Sequence, residues 1–187
     1  MTRFSIVKTP LPGLITLVRQ PLIDTRGHLE RMYCDQELAS VLLGKTIRQI
    51  NRTLTVNRGT VRGLHFQRPP HAEMKFVCCL KGAVFDVAVD LRRGSPTFLH
   101  WHAERLTDDN HRTFLIPEGF AHGFQTLTND CELLYLHTAD YCPEAEGALN
   151  ASDPQIAINW PLPITGRSSR DQAHPMLNDT GFAGITP

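Results

Sequence analysis

The chain has 187 residues, of which 41% are hydrophobic and 20% are charged, and its 19 Lys and Arg balance its 19 Asp and Glu. This composition is typical of one globular domain, and the zero net charge argues against general binding to nucleic acid or to an anionic membrane. No apolar run is long enough to span a bilayer. We therefore expect no nucleic-acid partner and no membrane association.

The N-terminal stretch MTRFSIVKTPLPGLITLV is interrupted by Pro10, Pro12 and Gly13, and it lacks the continuous apolar core and small-residue cleavage site of a signal peptide. The cysteines are odd in number and form no CxxC pair, which argues against a disulfide framework. They are Cys34, Cys78, Cys79, Cys131 and Cys142. We therefore expect a cytoplasmic protein whose cysteines are buried free thiols.

Short apolar stretches separated by turn residues predict a chain built mainly of β-strands. The predicted strand stretches, in chain order, are 13–20, 46–56, 75–82, 83–98, 112–127 and 131–141. The stretch 35–44, with an Asp near its start and a Gly at its end, is the best helix candidate. From about Pro161 the sequence is rich in Pro and polar residues, and we expect this segment to wrap the outside.

Residues 83–91 alternate regularly, with Phe85, Val87, Val89 and Leu91 on one face and Ala88 and two aspartates, Asp86 and Asp90, on the other. A strand that carries carboxylates on one face fits a barrel with a polar interior. Many short strands with one or two helices favour an all-β jelly roll. We predict one domain over residues 1–187.

Two stretches, 59–82 and 117–122, resemble the two signature motifs of the cupin barrels, a family of double-stranded β-helix jelly rolls. The first cupin motif is Gly, five residues, His-x-His, a few residues, Glu, six residues and Gly, and the second contains Pro-x-Gly-x-x-His. The four metal-ligand positions of these motifs are occupied here by His65, Gln67, Lys75 and His122.

This set of side chains disfavours a metal and favours acid–base chemistry. Two neutral histidines hold zinc or iron only with further ligands, and the charge of Lys75 repels a dication. A histidine transfers protons near neutral pH, and an ammonium group stabilises a developing oxyanion. The pattern therefore indicates proton abstraction next to a carbonyl, with no metal and no cofactor, and a metal-dependent cupin enzyme remains the alternative.

The chain resembles the dTDP-4-dehydrorhamnose 3,5-epimerase family from about Thr9 to Asp179. The stretches that carry the resemblance are RGLHFQRPPHAEMK, FDVAVDLRRGSPTF, IPEGFAHGFQTL and DYCPEAEG. The resemblance implies a metal-free, cofactor-independent cupin, usually a homodimer, that inverts C3 and C5 of a dTDP-linked 4-keto-6-deoxy sugar on the way to L-rhamnose. The C4 ketone of that sugar itself acidifies the neighbouring C–H bonds.

The resemblance also implies a role for each matching residue. His65 matches the general base, and Asp171 matches the aspartate that orients and charges it. Lys75 matches the lysine near the enolate oxygen. Tyr135 matches the tyrosine that returns a proton to the opposite face, which inversion of a stereocentre requires.

The remaining matches concern binding. Arg62 and Arg170 match residues that contact the pyrophosphate or its surroundings. Arginine suits this role, since its forked guanidinium group fits phosphate oxygens. Tyr141 matches the aromatic residue that stacks on thymine. The other matches are His122, a second pocket histidine that Asp86 can bond; Gln49 and Asn51, near the base or ribose; Glu146, a further binding position; and Arg26, which in this family often comes from the partner subunit.

The sequence departs from the family pattern mainly on the nucleotide side. Arg31 aligns with a family glutamate and reverses a charge next to the nucleotide, Asp140 and Ala151 replace family aromatics, and the stretch 51–59 is one residue longer than usual. A single-site epimerase of a related sugar, or a non-catalytic sugar-nucleotide-binding cupin, is therefore an alternative. The sequence does not choose between lipopolysaccharide rhamnose and secondary metabolism as the pathway.

Overall fold

A computed structural model describes residues 2–186, so the end residues of the predicted domain, Met1 and Pro187, lie outside the described residues. The helices are α1 (Asp35–Leu42) and α2 (Ser169–Ala173), with 3₁₀ turns at Pro143–Ala145 and Leu177–Asp179. The strands are β1 (Phe4–Lys8), β2 (Ile15–Arg19), β3 (Leu22–Asp24), β4 (Gly27–Leu29), β5 (Gln49–Thr55), β6 (Val61–Gln67), β7 (Lys75–Lys81), β8 (Ala83–Asp90), β9 (Trp101–Thr107), β10 (Arg112–Ile116), β11 (Phe120–Thr126), β12 (Cys131–His137) and β13 (Glu146–Ala148).

The strands form two antiparallel sheets and one separate hairpin. The first sheet has the order β1-β2-β10-β7-β12-β5, and the second has the order β13-β6-β11-β8-β9. Strands β3 and β4 pair only with each other. Consecutive strands such as β10 and β11 belong to different sheets, so the chain crosses repeatedly between the two layers. This arrangement confirms the predicted all-β jelly roll of the cupin type.

The space between the two sheets holds one apolar cluster that both layers share. Val77, Phe114 and Leu133 come from the first sheet, and Val84 and Phe124 come from the second. The predicted alternation of β8 is confirmed, because Ala88 belongs to this inner cluster while the other face packs outward. The polar cavity described below shares the same inner space.

The outer faces of both sheets are covered by chain from outside the sheets. Helix α1 places Leu38 and Leu42, one turn apart, against Phe76 on the outside of the first sheet. On the outside of the second sheet, Leu177 and Ile185 of the C-terminal segment pack on the face of β8 that carries the outward-pointing valines. The C-terminal segment thus runs outside the sheets, as the sequence predicts.

All six predicted strand stretches contain strands, although 112–127 contains two of them, β10 and β11, on either side of a turn. The predicted helix 35–44 is confirmed as α1. The prediction missed β1, the hairpin β3–β4, β6, β9 and β13. Strand β6 lacks a clean apolar alternation because several of its side chains, including His65 and Gln67, are polar groups that line the cavity.

Gly63 allows strands β6 and β11 to approach closely enough for His65 to pair with His122. Its φ of +114° is rare for residues with a side chain. A Cβ at this position would lie 2.6 Å from the Cα of Gly123 and 2.7 Å from the carbonyl oxygen of His122. The backbone between the two histidines therefore has room only for glycine.

We expect Gly63→Ala to lower the free energy of unfolding by about 3 kcal/mol, because it combines a strained φ with a backbone clash. The control is Gly94→Ala, where φ is +78° but no atom lies within 4 Å of the added Cβ, with an expected loss of about 1 kcal/mol. Chemical denaturation measures both. Equal losses in the two variants would contradict the claim that close packing of β6 on β11 requires Gly63.

Candidate active site

A cavity of about 490 Å³ opens between the two sheets. It is lined by eleven of the thirteen residues that the sequence analysis selects for the site. These are Gln49, Asn51, Arg62, His65, Lys75, His122, Tyr135, Tyr141, Glu146, Arg170 and Asp171. The fold thus brings together residues from strands of both sheets and from α2.

His65 lies on β6, and its Nε2 is 2.7 Å from Oδ1 of Asp171 on α2. The backbone N–H of Gly63 donates to the other carboxylate oxygen at 3.4 Å. Burial favours the neutral acid, but the hydrogen bonds from His65 and Gly63 outweigh it and hold the pKa of Asp171 below its usual value. The charged carboxylate therefore keeps the proton of His65 on Nε2 and leaves the Nδ1 lone pair free.

The turn that carries Asp171 is fixed from several directions. The Oγ of Ser168 accepts a hydrogen bond from the Asp171 N–H at 3.0 Å and caps α2. Arg167 donates to the Asp171 carbonyl at 2.5 Å and to Oδ1 of Asn150 at 2.9 Å. Asp171 is 4% exposed. The His65–Asp171 pair is therefore preorganised by the fold.

Lys75 begins β7, and it is buried rather than exposed at a sheet edge. Its Nζ lies 3.1 Å from Glu73, whose other oxygen lies 2.7 Å from Nδ1 of His137. Burial would raise the pKa of Glu73, but His137 and the charge of Lys75 outweigh it and lower that pKa. A buried ammonium group thus has a charged partner beside it.

Tyr135 lies on β12, in the sheet opposite the one that carries His65. Its ring packs edge-on against His122 at 5.9 Å and stacks on His137 at 6.0 Å. Burial, assisted by the nearby Asp86, raises the pKa of Tyr135 well above its usual value. Tyr135 is therefore a phenol that keeps its proton, on the wall of the cavity that faces His65.

His122 lies on β11 beside His65 and is held by a buried aspartate. Its Nε2 is 2.9 Å and 3.0 Å from the two oxygens of Asp86. Asp86 is fully buried, and burial raises its pKa despite the opposing effect of His122. The predicted His122–Asp86 contact is present in the structure.

The four barrel positions that hold a metal in other cupins each have a different partner here. His65 bonds Asp171, His122 bonds Asp86, and Lys75 pairs with Glu73. Gln67 donates to the carbonyls of His71 and Asp140 and accepts from the N–H of Cys142. A set that contains an ammonium and an amide already committed to the backbone does not fit a metal ion.

The mouth of the cavity carries residues that the resemblance assigns to nucleotide binding. The hydroxyl of Tyr141, which is 53% exposed, donates to Glu146 at 2.9 Å, and Arg170 pairs with the other oxygen of Glu146. Gln49 accepts from the N–H of Tyr141 at 3.1 Å. Arg62 donates to Thr55 at 2.9 Å. Aromatic, acidic and guanidinium groups thus surround the entrance.

The structure does not bring Arg26 and Arg31 to this cavity. Arg26 lies in the turn of the hairpin β3–β4, is almost fully exposed, and pairs with Asp24 at 2.6 Å. Arg31 pairs with Glu37 of α1. Within this chain Arg31 pairs with Glu37 outside the cavity, and its place beside the nucleotide stays a prediction.

Glu73 and His137 line the cavity, but the sequence analysis did not select them. Each lies two residues from a selected one, Glu73 before Lys75 and His137 after Tyr135. Tyr135 and His137 both lie on β12, where side chains two apart share a face, so period-two alternation is the signal that identifies His137. Glu73 precedes β7, and no strand pattern identifies it. In the structure His137 pairs with Lys75 across β12 and β7, and this places His137 beside Glu73, which lies just before β7.

Fold and site together define a class: a cupin barrel whose cavity carries charged and proton-transferring side chains where other cupins carry metal ligands. The family profile described as dTDP-4-dehydrorhamnose 3,5-epimerase matches residues 8–179. The chain belongs to the dTDP-4-dehydrorhamnose 3,5-epimerase family, and so to the isomerases.

Individual relatives agree with this assignment. A dTDP-4-dehydrorhamnose 3,5-epimerase of Salmonella typhimurium is 39% identical over 175 residues, which cover 92% of this chain and 95% of the relative. A dTDP-4-dehydrorhamnose 3-epimerase of Streptomyces niveus is 36% identical and covers 95% of this chain and 86% of its own. The Legionella pneumophila dTDP-6-deoxy-D-glucose-3,5-epimerase, solved with dTDP-4-keto-L-rhamnose, superposes with a TM-score of 0.91 at 35% identity over 98% of both chains.

Among residues 2–186, neither helix has the length and apolar character needed to cross a membrane.

Proposed function

We propose that this protein converts dTDP-4-keto-6-deoxy-D-glucose to dTDP-4-keto-L-rhamnose by inverting C3 and C5. The observation that carries the proposal is the placement of the His65–Asp171 pair on one wall of the cavity and of Tyr135 on the opposite wall. Inversion needs a base on one face of the sugar and an acid on the other. The charged Lys75 lies in the same cavity.

In the proposed mechanism, Nδ1 of His65 removes the proton from the carbon next to the C4 ketone. The electron pair of the C–H bond moves into the new C–C double bond, and the carbonyl electrons move onto the C4 oxygen. Lys75 stabilises the resulting enolate. Tyr135 then donates a proton from the opposite face, and solvent restores both groups before the second carbon reacts. The C4 ketone of the substrate acidifies the neighbouring C–H bonds, so the proposed reaction needs no cofactor.

The nucleotide has candidate partners at the mouth of the same cavity. Arg62 and Arg170 offer guanidinium groups to the pyrophosphate. Tyr141 is exposed enough for its ring to stack on thymine. Gln49, Asn51 and Glu146 offer polar contacts to the base and ribose. Bound dTDP would either break the Arg170–Glu146 ion pair or contact both residues while the pair stays intact.

Inversion at one carbon is the second candidate function, because one 36%-identical relative is named a 3-epimerase. Product analysis separates the two. The protein is incubated with the 4-keto sugar nucleotide, the product is reduced with borohydride, and the released sugars are identified. L-rhamnose among them requires inversion at both carbons. Reduced sugars of unchanged configuration alone would refute both candidates.

We expect Glu73→Gln to lower kcat by about tenfold while leaving the affinity for dTDP unchanged. The neutral amide removes the counter-charge of Lys75 and replaces the charged acceptor of His137 with a neutral one. The buried ammonium then loses the anionic partner that offsets the cost of its burial. Steady-state kinetics and a dTDP titration measure the two effects, with Glu144→Gln on the exposed 3₁₀ turn as the control. A loss of dTDP affinity instead of kcat would show that Glu73 belongs to the nucleotide site.

We also propose that two copies form a homodimer through the hairpin β3–β4. Leu22, Ile23 and Leu29 on this hairpin are 49%, 77% and 65% exposed, and such apolar exposure is typical of an interface. Arg26, at the tip of the same hairpin, would then extend toward the partner's cavity. Sedimentation velocity should show a dimer that Ile23→Asp converts to monomer, while Leu43→Asp, at the exposed position directly after α1, does not. A monomeric wild-type protein would refute this.

The proposed location is the cytoplasm. All five cysteines are free, and burial raises the pKa of the Cys79 thiol to about 12. Unpaired cysteines fit a reducing compartment. Fractionation of cells that express the tagged protein tests this, and recovery in an extracytoplasmic fraction would contradict it.

A further inference from the structure

A second histidine lies beside the His65–Asp171 pair, and the mechanism above does not use it. His174 follows α2 three residues after Asp171, and its ring is edge-on to that of His65 with centroids 6.3 Å apart. One donor atom from each of the three residues lies within 4.8 Å of the other two. The Nε2 of His174 is buried and has no hydrogen-bond partner among the described residues.

Two imidazoles and one carboxylate are a donor set that binds Zn²⁺ and other divalent transition ions. The trio differs from the four barrel positions discussed above, because it shares only His65 with them and contains no ammonium group. We propose that His65, Asp171 and His174 form a binding site for a divalent transition ion such as Zn²⁺, and that the bound ion switches off the base.

The inhibition follows from the chemistry of the imidazole ring. A neutral ring carries one proton and one lone pair on its two nitrogens. In the structure Nε2 faces Asp171, so the lone pair that serves as the base is on Nδ1. An ion held by Asp171 and His174 binds His65 through Nε2, which moves the ring proton to Nδ1. The ring then has no lone pair for the substrate.

The same geometry predicts which kinetic constant changes. The two ring nitrogens point toward different edges of His65, so the ion lies on the Asp171 side and the substrate on the other. The nucleotide contacts proposed at the cavity mouth stay available. Zinc should therefore lower kcat and leave the affinity for dTDP unchanged, in contrast to an ion that competes for the pyrophosphate.

The test uses chelator-treated, metal-free protein titrated with ZnCl₂ in a calorimeter. We expect one equivalent to bind, and Co²⁺ at the same site to show visible absorption typical of nitrogen ligation. His174→Gln should weaken zinc binding at least about tenfold while keeping its metal-free turnover. The control is His100→Gln, at an exposed position outside the trio, which should bind zinc like the wild type.

Three results would overturn the proposal: no stoichiometric binding, equal zinc affinity in His174→Gln and wild type, or a loss of dTDP affinity in step with zinc occupancy. Calorimetry does not depend on turnover. If zinc binds through His174 but no 4-keto sugar is converted, the proposed function fails and the metal site stands.

Discussion

His65→Asn is expected to lower kcat by about 10³-fold, because it removes the proposed base, an imidazole whose Nε2 bonds the charged Asp171 and whose Nδ1 lone pair is left for the substrate. The asparagine amide keeps a polar group beside Asp171, so the buried carboxylate is not left without a donor. Steady-state turnover of the 4-keto sugar nucleotide measures the effect. The affinity for dTDP should stay within error of the wild type, because the hydrogen bond of the His65 ring goes to Asp171 and not to a residue proposed to bind the nucleotide.

The control for this variant is His71→Asn, an exposed histidine near the same cavity that does not line it. It should retain full turnover. If His65→Asn kept more than about a tenth of the wild-type kcat, the base would have to be another group. His122 would then be the first candidate, since it lies beside His65 on the paired strand.

Lys75→Met should lower kcat by about 10²- to 10³-fold, the range measured when an oxyanion-stabilising donor is removed. Methionine keeps the length of the side chain and removes its charge. The enolate then has no cation beside it, and Glu73 loses its ion-pair partner. Single-turnover kinetics with bound substrate measures the chemical step directly.

A buried carboxylate without its partner can also destabilise the fold. The double variant Lys75→Met/Glu73→Gln removes both charges and serves as the second measurement. It should regain stability without regaining turnover. Lys81→Met, at the exposed end of the same strand β7, is the control for the loss of a lysine. Recovery of kcat in the double variant would show that the charge of Lys75 does not act on the enolate.

Spacing along strands made part of this site predictable. The resemblance of 59–82 and 117–122 to the cupin motifs selected His65 and His122, which the structure pairs on adjacent strands. The alternation in β8 likewise predicted that Asp86 faces inward. The alternation in β8 follows from the period of two along a strand, and it needs no knowledge of distant contacts.

Contacts between distant parts of the chain were not predictable from local pattern. Asp171 lies 106 residues from His65 and was selected only through the resemblance. Glu73 and His137 lie 64 residues apart and meet because β7 and β12 are neighbours. Strand β6 itself was missed because polar side chains that serve the cavity interrupt its apolar pattern. The polar residues that line the cavity therefore obscure the strand pattern of the segment that carries His65.

In the proposed reaction, His65 removes protons at two carbons and a second group returns them from the other face. Incubation with dTDP-4-keto-6-deoxy-D-glucose in heavy water, followed by NMR and mass spectrometry, tests it most directly. We predict deuterium at both C3 and C5 of the inverted product, and none after incubation with His65→Asn. A folded wild-type protein that binds dTDP and leaves both carbons unlabelled would contradict this account.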